Sequence, residues 1–148
     1  MGAFRSLHRV TYRDCTLGNH VYYARYLDFL EAARGEFFRH LGKTFLQWQD
    51  KDVIFPVIES HLRYKGPARY DDVIAIDMTV TLAARVRLNL AYVAMVADNQ
   101  RVLEGETYHV CSGINEKPKA LPEELLRGLE SYMNTAPLTS SINAATSS

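Results

Sequence analysis

The sequence predicts an α+β domain in which an antiparallel sheet wraps around one long helix. Three observations lead there. Between Tyr22 and Leu41, Tyr23, Tyr26, Leu27, Leu30, Arg34, Phe37, Phe38 and Leu41 recur at steps of three and four, the period of one helix face. Between Val73 and Ala83, Ile74, Ile76, Met78, Val80 and Leu82 alternate with smaller or polar residues, the period of a half-buried strand. The last strand-like runs are joined by short connections, which suit antiparallel neighbours and not parallel ones.

The elements follow in order. Phe4 to Arg13 reads as a first strand, ended by "DCTLGN", where Gly18 and Asn19 are turn formers. The helix from Tyr22 stops at Gly42, a natural C-terminal residue. Ile54 to Tyr64 is a second strand, punctuated by Gly66 and Pro67. Val73 to Ala83, Arg87 to Ala97 and Arg101 to Ile114 complete the sheet, with a turn at Asp98-Asn99. "LPEELLRGLESYM" closes with a short helix whose first turn takes Pro122. A sheet with one apolar face needs a cover, and only the long helix can supply it. The stretch "NTAPLTSSINAATSS" has neither charge nor period. Residues 1–133 are therefore expected to form one domain and 134–148 a disordered tail.

Composition narrows the function. Hydrophobic residues make up 47% of 148, enough for a sizeable core. Seventeen basic and seventeen acidic side chains cancel, so a nucleic-acid partner is not expected. Cys15 and Cys111 stand far apart, without zinc spacing or a disulfide framework. They read as reduced thiols of a cytoplasmic protein. The N-terminus "MGAFRSLHRV" has no apolar run for a secretory leader, and no stretch approaches a membrane span of about 20 apolar residues. No metal or bound cofactor is expected.

Three separated segments carry a resemblance: "VTYRDCTLGNHVYYARYLDFLEAAR", "FPVIESHLRYKGPARYDDVIAIDMTV" and "EGETYHVCSGINEKPKALPEEL". In this order they resemble the hot-dog-fold thioesterases of the 4-hydroxybenzoyl-CoA thioesterase type, over about residues 5 to 127. The resemblance implies a sheet wrapped around a central helix and a homodimer or homotetramer with active sites at the dimer interface. It also implies an acyl-CoA or acyl-carrier-protein thioester as substrate.

Hydrolysing a thioester requires stabilising the carbonyl oxygen as it becomes an oxyanion, and delivering water to the carbon. The free N–H groups of a helix N-terminus meet the first need without any particular side chain. The resemblance gives that role to the backbone N–H of Tyr23. For the second need the family's loop reads Asp-x-Asp, with the second carboxylate catalytic. Here the loop has Asp14 and then Thr16, whose hydroxyl positions water but is no base near neutral pH. Thioesterases of enediyne polyketide pathways resemble this loop, lack the same carboxylate and use an Arg in the central helix that matches Arg34. The departure leaves open a rival, a binding module for acyl-CoA or acyl-carrier protein that has lost hydrolysis.

Each loop residue has two readings. Asp14 either caps the loop by accepting backbone N–H bonds or is the remaining base. His20 is either a plain turn residue or a base, since imidazole titrates near neutrality. Asn19 caps the helix or orients substrate. Cys15 is a nucleophile only with a lowered pKa and a partner base. Glu31 pairs with Arg34 at i+3 or acts as a helix carboxylate base. Tyr22, Tyr23 and Tyr26 wall the core or an acyl pocket. Arg85 and Arg87, at a turn between strands, either hold CoA phosphates or are simply solvated. Lys65 and Arg69 are weaker versions of the same idea.

Overall fold

The structure, a computed structural model, describes residues 2–134. Strand β1 (Phe4–Arg9) opens the chain, followed by the hairpin β2 (Cys15–Thr16) and β3 (His20–Val21). Helix α1 (Arg25–Leu41) and the short α2 (Phe45–Asp50) come next. Then run β4 (Val57–Tyr64), β5 (Val73–Ala84), β6 (Arg87–Val96) and β7 (Gln100–Val110), and α3 (Glu123–Leu129) closes the fold. Five strands make one antiparallel sheet in the order β1-β5-β6-β7-β4. The expected α+β class, with antiparallel sheet and central helix, is the class observed.

The alternation in β5 becomes geometry. Ile74, Ile76, Met78 and Val80 are all buried, and Met78 sits opposite Tyr92 of β6, itself fully buried. Their partner is α1, whose buried residues include Tyr26, Phe29, Leu30, Ala33, Phe37 and Phe38. Phe37 meets Phe4 of β1 at 5.2 Å between ring centroids, and Phe38 meets Phe55 at the same distance. Gly42 ends α1 as expected, with φ +119°, a conformation that L side chains rarely adopt. Gly105 of β7 has a different reason. A Cβ there would stand 2.7 Å from the His61 carbonyl oxygen, so a side chain would push β4 off the sheet.

Several boundaries differ from the expectation. The first strand ends at Arg9, not Arg13. The Val10 N–H donates to the Asp72 carbonyl and the Asp71 N–H to the Val10 carbonyl, and residues 12–14 coil into a tight turn. Helix α1 begins at Arg25, not Tyr22. Tyr23 therefore lies in the turn before it, 61% exposed, and Leu27, also expected on the buried stripe, is 45% exposed. The true stripe is rotated toward Phe29 and Ala33. β4 begins at Val57 and not Ile54, which makes an isolated bridge to Ser112. β7 ends at Val110, short of Ile114, and the last helix spans one element and a 3₁₀ turn (Glu130–Tyr132). The expected tail lies outside the described residues except for Asn134, whose N–H donates to the Val80 carbonyl at 2.7 Å. No helix among the described residues is long and apolar enough to cross a membrane.

Phe37→Ala should cost about 3–5 kcal/mol in urea denaturation, because the ring is fully buried against Phe4 of β1 and Tyr132. Leu17→Ala at the hairpin tip, 95% exposed, should stay within about 0.5 kcal/mol of the parent.

Candidate functional site

The loop "DCTLGNHVYY" folds as a three-residue turn between two short strands. Cys15 faces Val21 and Thr16 faces His20 across the ribbon. Gly18 and Asn19 both take positive φ at its tip. Pairing at Thr16 and His20 puts both side chains on one face, with Cβ atoms about 5 Å apart. The Val21 N–H donates to the Ala68 carbonyl, and the Tyr22 N–H to the Asp14 carbonyl. The ribbon is therefore pinned on both sides.

Asp14 is the pin itself. It is buried, and its Oδ2 accepts from the Thr11 N–H at 2.8 Å and from His8 Nε2 at 2.9 Å. Burial alone would push its carboxyl up. The bonds from Thr11 and His8 outweigh it and hold the group below its ordinary value. A carboxylate held in this way is a weak base, so the capping reading is the one its geometry supports. Asn19 does not cap α1. Its Oδ1 accepts from the Tyr70 N–H at 3.0 Å, tying the hairpin tip to the following loop, while Ala24 stands at the helix cap. Burial and the nearby Asp14 carboxylate push the Cys15 thiol up, away from a nucleophile's requirement.

The expected site residues fall in three places. His20, Tyr23 and Tyr26 line a cavity of about 390 Å³ with Val21, Tyr64, Lys65, Gly66 and Pro67. The Tyr23 N–H donates to no acceptor among the described residues, while the Arg25 and Tyr26 N–H groups are taken by Tyr22 and Tyr23 carbonyls. Tyr64 Oη donates to the Tyr23 carbonyl at 3.4 Å. Burial pushes the Tyr26 hydroxyl up to about 12, with smaller contributions from Tyr64, Asp72 and Cys15, so it stays a neutral donor and acceptor. Thr16, Cys15 and Asn19 line an outer cleft with Tyr12 and Tyr70.

Arg34 lies elsewhere. It is buried and lines a cavity of about 340 Å³ with Glu31, Phe45, Ile54, Phe55 and Val57. A second lobe adds Leu27, Ser60 and Thr107. The expected Glu31–Arg34 pair is not formed. Arg34 Nη1 donates instead to Tyr92 Oη at 3.2 Å, because the i+3 guanidinium points into the core and not along the helix. Arg85 and Arg87 line neither cavity. Arg85 takes φ +57° in the β5–β6 turn, and its carbonyl accepts from Leu121, so its evident role is to make the turn.

The sequence reading missed Tyr92, Thr107 and His109. Tyr92 Oη lies 2.6 Å from Thr107 Oγ1, Thr107 Oγ1 lies 2.8 Å from His109 Nε2, and His109 Nδ1 lies 3.0 Å from the Phe55 carbonyl. All three side chains are buried. Burial holds the His109 imidazole down to about 4, aided by the Arg34 charge and opposed by the Phe55 bond. The missed signal was positional. In "ETYHV" the polar Thr107 and His109 occupy the period-two positions that face the core.

Comparison with known proteins bears on the family and the fold. Residues 10–129 match the thioesterase-like superfamily. The acyl-CoA thioester hydrolase YbgC of Escherichia coli is 33% identical over 124 residues, covering 83% of this chain and 92% of that protein. A structurally characterised hypothetical protein from Aquifex aeolicus superposes with a TM-score of 0.80 at 25% identity, covering 85% of this chain and 98% of its own. Dynemicin thioesterase shares the fold, with a TM-score of 0.83 at 18% identity over 90% of this chain and 99% of its own.

Asp14→Ala should lower stability by about 1–3 kcal/mol at pH 7, since it removes a buried carboxylate that accepts from both the Thr11 N–H and His8. The folded chain holds Asp14 ionised to lower pH than the unfolded chain, whose carboxyl titrates near about 3.9. The stabilisation is thus present above that value and is lost as pH falls through the lower, folded value. Urea titrations should show the gap between parent and variant narrowing as the pH is taken below about 4.

Proposed function

The chain belongs to the thioesterase-like superfamily and hydrolyses acyl thioesters, and from that premise we propose that it acts on acyl-CoA through a site shared by two copies of the chain. The observation that carries the shared site is the placement of two half-clefts at opposite ends of β4. The cavity with His20, Tyr23 and Tyr26 includes Tyr64, and the Arg34 cavity includes Val57. Eleven residues separate Tyr23 from Arg34, about 16 Å along a helix axis, too far for both to hold one carbonyl. β4 is also an edge strand with no neighbour beyond it among the described residues, and Val57, Ile58 and Tyr64 are exposed along it. An antiparallel pairing of β4 with a second β4 about a two-fold axis sets each Tyr64 end beside the other copy's Val57 end. The two half-clefts then face each other, and the protein is a homodimer. Pairs of dimers extend the same logic to a homotetramer.

In that site the thioester carbonyl oxygen accepts the unpartnered Tyr23 N–H. The guanidinium of Arg34 from the second copy adds positive charge as the oxyanion forms. Water attacks the carbonyl carbon, positioned by the Thr16 hydroxyl, and gives its proton to His20, which lies in the same cavity as the N–H donor. The intermediate collapses, the carbon–sulfur bond breaks, and the departing thiolate takes the proton back from His20. A carboxylic acid and a free thiol leave. Asp14 holds the loop that presents these groups, and Asn19 holds its tip. Acyl-carrier-protein thioesters fit the same chemistry. The acyl-CoA substrate and the two free cysteines accord with a cytoplasmic enzyme.

Turnover against a panel of acyl-CoAs, with binding measured in parallel, tests the activity. Hydrolysis supports the enzyme, and tight binding without turnover favours the rival binding module. His20→Ala should lower kcat by about 10²-fold or more. Adding Thr16→Asp in that background should restore activity, because Thr16 is exposed and faces position 20 across the ribbon. A silent His20→Ala moves the base to Glu31, which lines the Arg34 cavity. Light scattering at micromolar concentration should give at least twice 16.8 kDa, and a monomer would dissolve the shared site.

A further inference from the structure

The bonds beneath Arg34 have a single direction. A guanidinium only donates, and a backbone carbonyl only accepts. Phe55 therefore takes the Nδ1 proton of His109, which leaves Nε2 as an acceptor. Thr107 must then donate to His109, Tyr92 to Thr107, and Arg34 to Tyr92. Neither the Tyr92 nor the Thr107 hydroxyl is free to turn around, so the order is fixed from one end to the other. Tyr92 comes from β6, Thr107 and His109 from β7, and Phe55 from the segment before β4. These four polar groups stand against a core rich in Leu, Ile and Phe. Burying them costs free energy unless each is bonded, and an apolar set of similar shape would fill the space without that demand. No carboxylate forms an ion pair with Arg34 among the described residues. Among the described residues, the relay's Tyr92 Oη is the acceptor that takes the guanidinium's hydrogen bond.

We infer that Tyr92, Thr107 and His109 are positioning residues that hold the Arg34 guanidinium at one place on the wall of its cavity. The inference rests on the reading above, in which Arg34 meets the developing oxyanion. Both ends of the relay reach the same cavity, since Arg34 and Phe55 line it together. The aim of the guanidinium is thus referred to the wall of that cavity. Swinging it by an ångström weakens charge stabilisation in the transition state while leaving the apolar lining unchanged. Loss of the relay therefore falls on kcat and not on KM.

The test is Thr107→Val, which removes the middle hydroxyl at nearly constant shape, beside Thr107→Ser, which keeps it. Thr107→Val should lower kcat by roughly tenfold to a hundredfold with KM within about twofold, and Thr107→Ser should recover most of it. In an Arg34→Ala background, Thr107→Val should have no further effect on kcat, whereas a purely structural role gives additive losses. A readout independent of turnover is the nitrogen-detected NMR signal of the Arg34 guanidinium. Rotation should be slow in the parent and fast in Thr107→Val. Tyr92→Phe should repeat both results. An unchanged kcat together with an unchanged guanidinium spectrum in folded Thr107→Val overturns the relay. If Arg34→Ala itself retains full kcat, the catalytic role of Arg34 fails instead, and the NMR signal still decides whether the relay holds the guanidinium.

Discussion

The burial of one stripe of α1 against one face of the sheet is the interaction on which the other features depend. Tyr26, Phe29, Leu30, Ala33, Phe37 and Phe38 leave water together, and β5 and β6 present Ile76, Met78, Leu90 and Tyr92 to receive them. Burial of side chains of this size contributes about 1.5–3 kcal/mol each. That is ample to hold a seventeen-residue helix whose first turn has no side-chain cap. The lack of a cap is itself useful chemistry. A Ser or Asp at Ala24 would direct an acceptor toward the N–H groups of the first turn, in competition with any ligand there.

Because α1 is held rigidly along its length, it acts as a spacer. Its entry carries an N–H with no partner among the described residues beside an aromatic cavity, and its middle carries a buried cation beside a second cavity. The helix keeps them three turns apart, and β4 runs alongside with one cavity at each end. The missing second carboxylate of the loop takes its place in this arrangement. In the proposed site, with Thr16 where the family resemblance implies Asp, more of the catalytic burden rests on how well the oxyanion is held. That raises the value of a guanidinium tied through Tyr92 to a run of four hydrogen bonds through the core.

What was legible in the sequence was whatever has a long period. The alternation of Ile74 to Leu82 and the three-four spacing of α1 each average over many residues, so neighbours with odd preferences do not erase them. Short elements escape that averaging. The β2–β3 hairpin has two residues a side, and α2 has six, although Thr44 and Gln47 form a capping box that "TFLQ" displays openly. Leu27 and Tyr23 fit the helical period yet face solvent, because a period gives a face only to within the rotation of the helix. The Arg34 relay was hidden for a different reason. Arg34 itself falls on the expected helix face, but its partners arrive from strands 58 to 75 positions away, a coincidence that only the sheet register creates.

The shared site is tested most directly by subunit complementation. Tyr23→Pro removes the N–H at a position where a proline is compatible with helix entry, and Tyr23→Ala controls for loss of the ring. Arg34→Ala removes the cation. Each impaired variant is purified alone, and the two are then mixed and exchanged through reversible urea dissociation. A two-fold dimer with composite sites places one intact Tyr23 N–H opposite one intact Arg34 in every mixed dimer. The mixture should then regain about a quarter of the parent activity, since half the dimers are mixed and each holds one working site of two. A mixture no more active than its two components, with exchange verified by mass, would show that each chain builds its site alone.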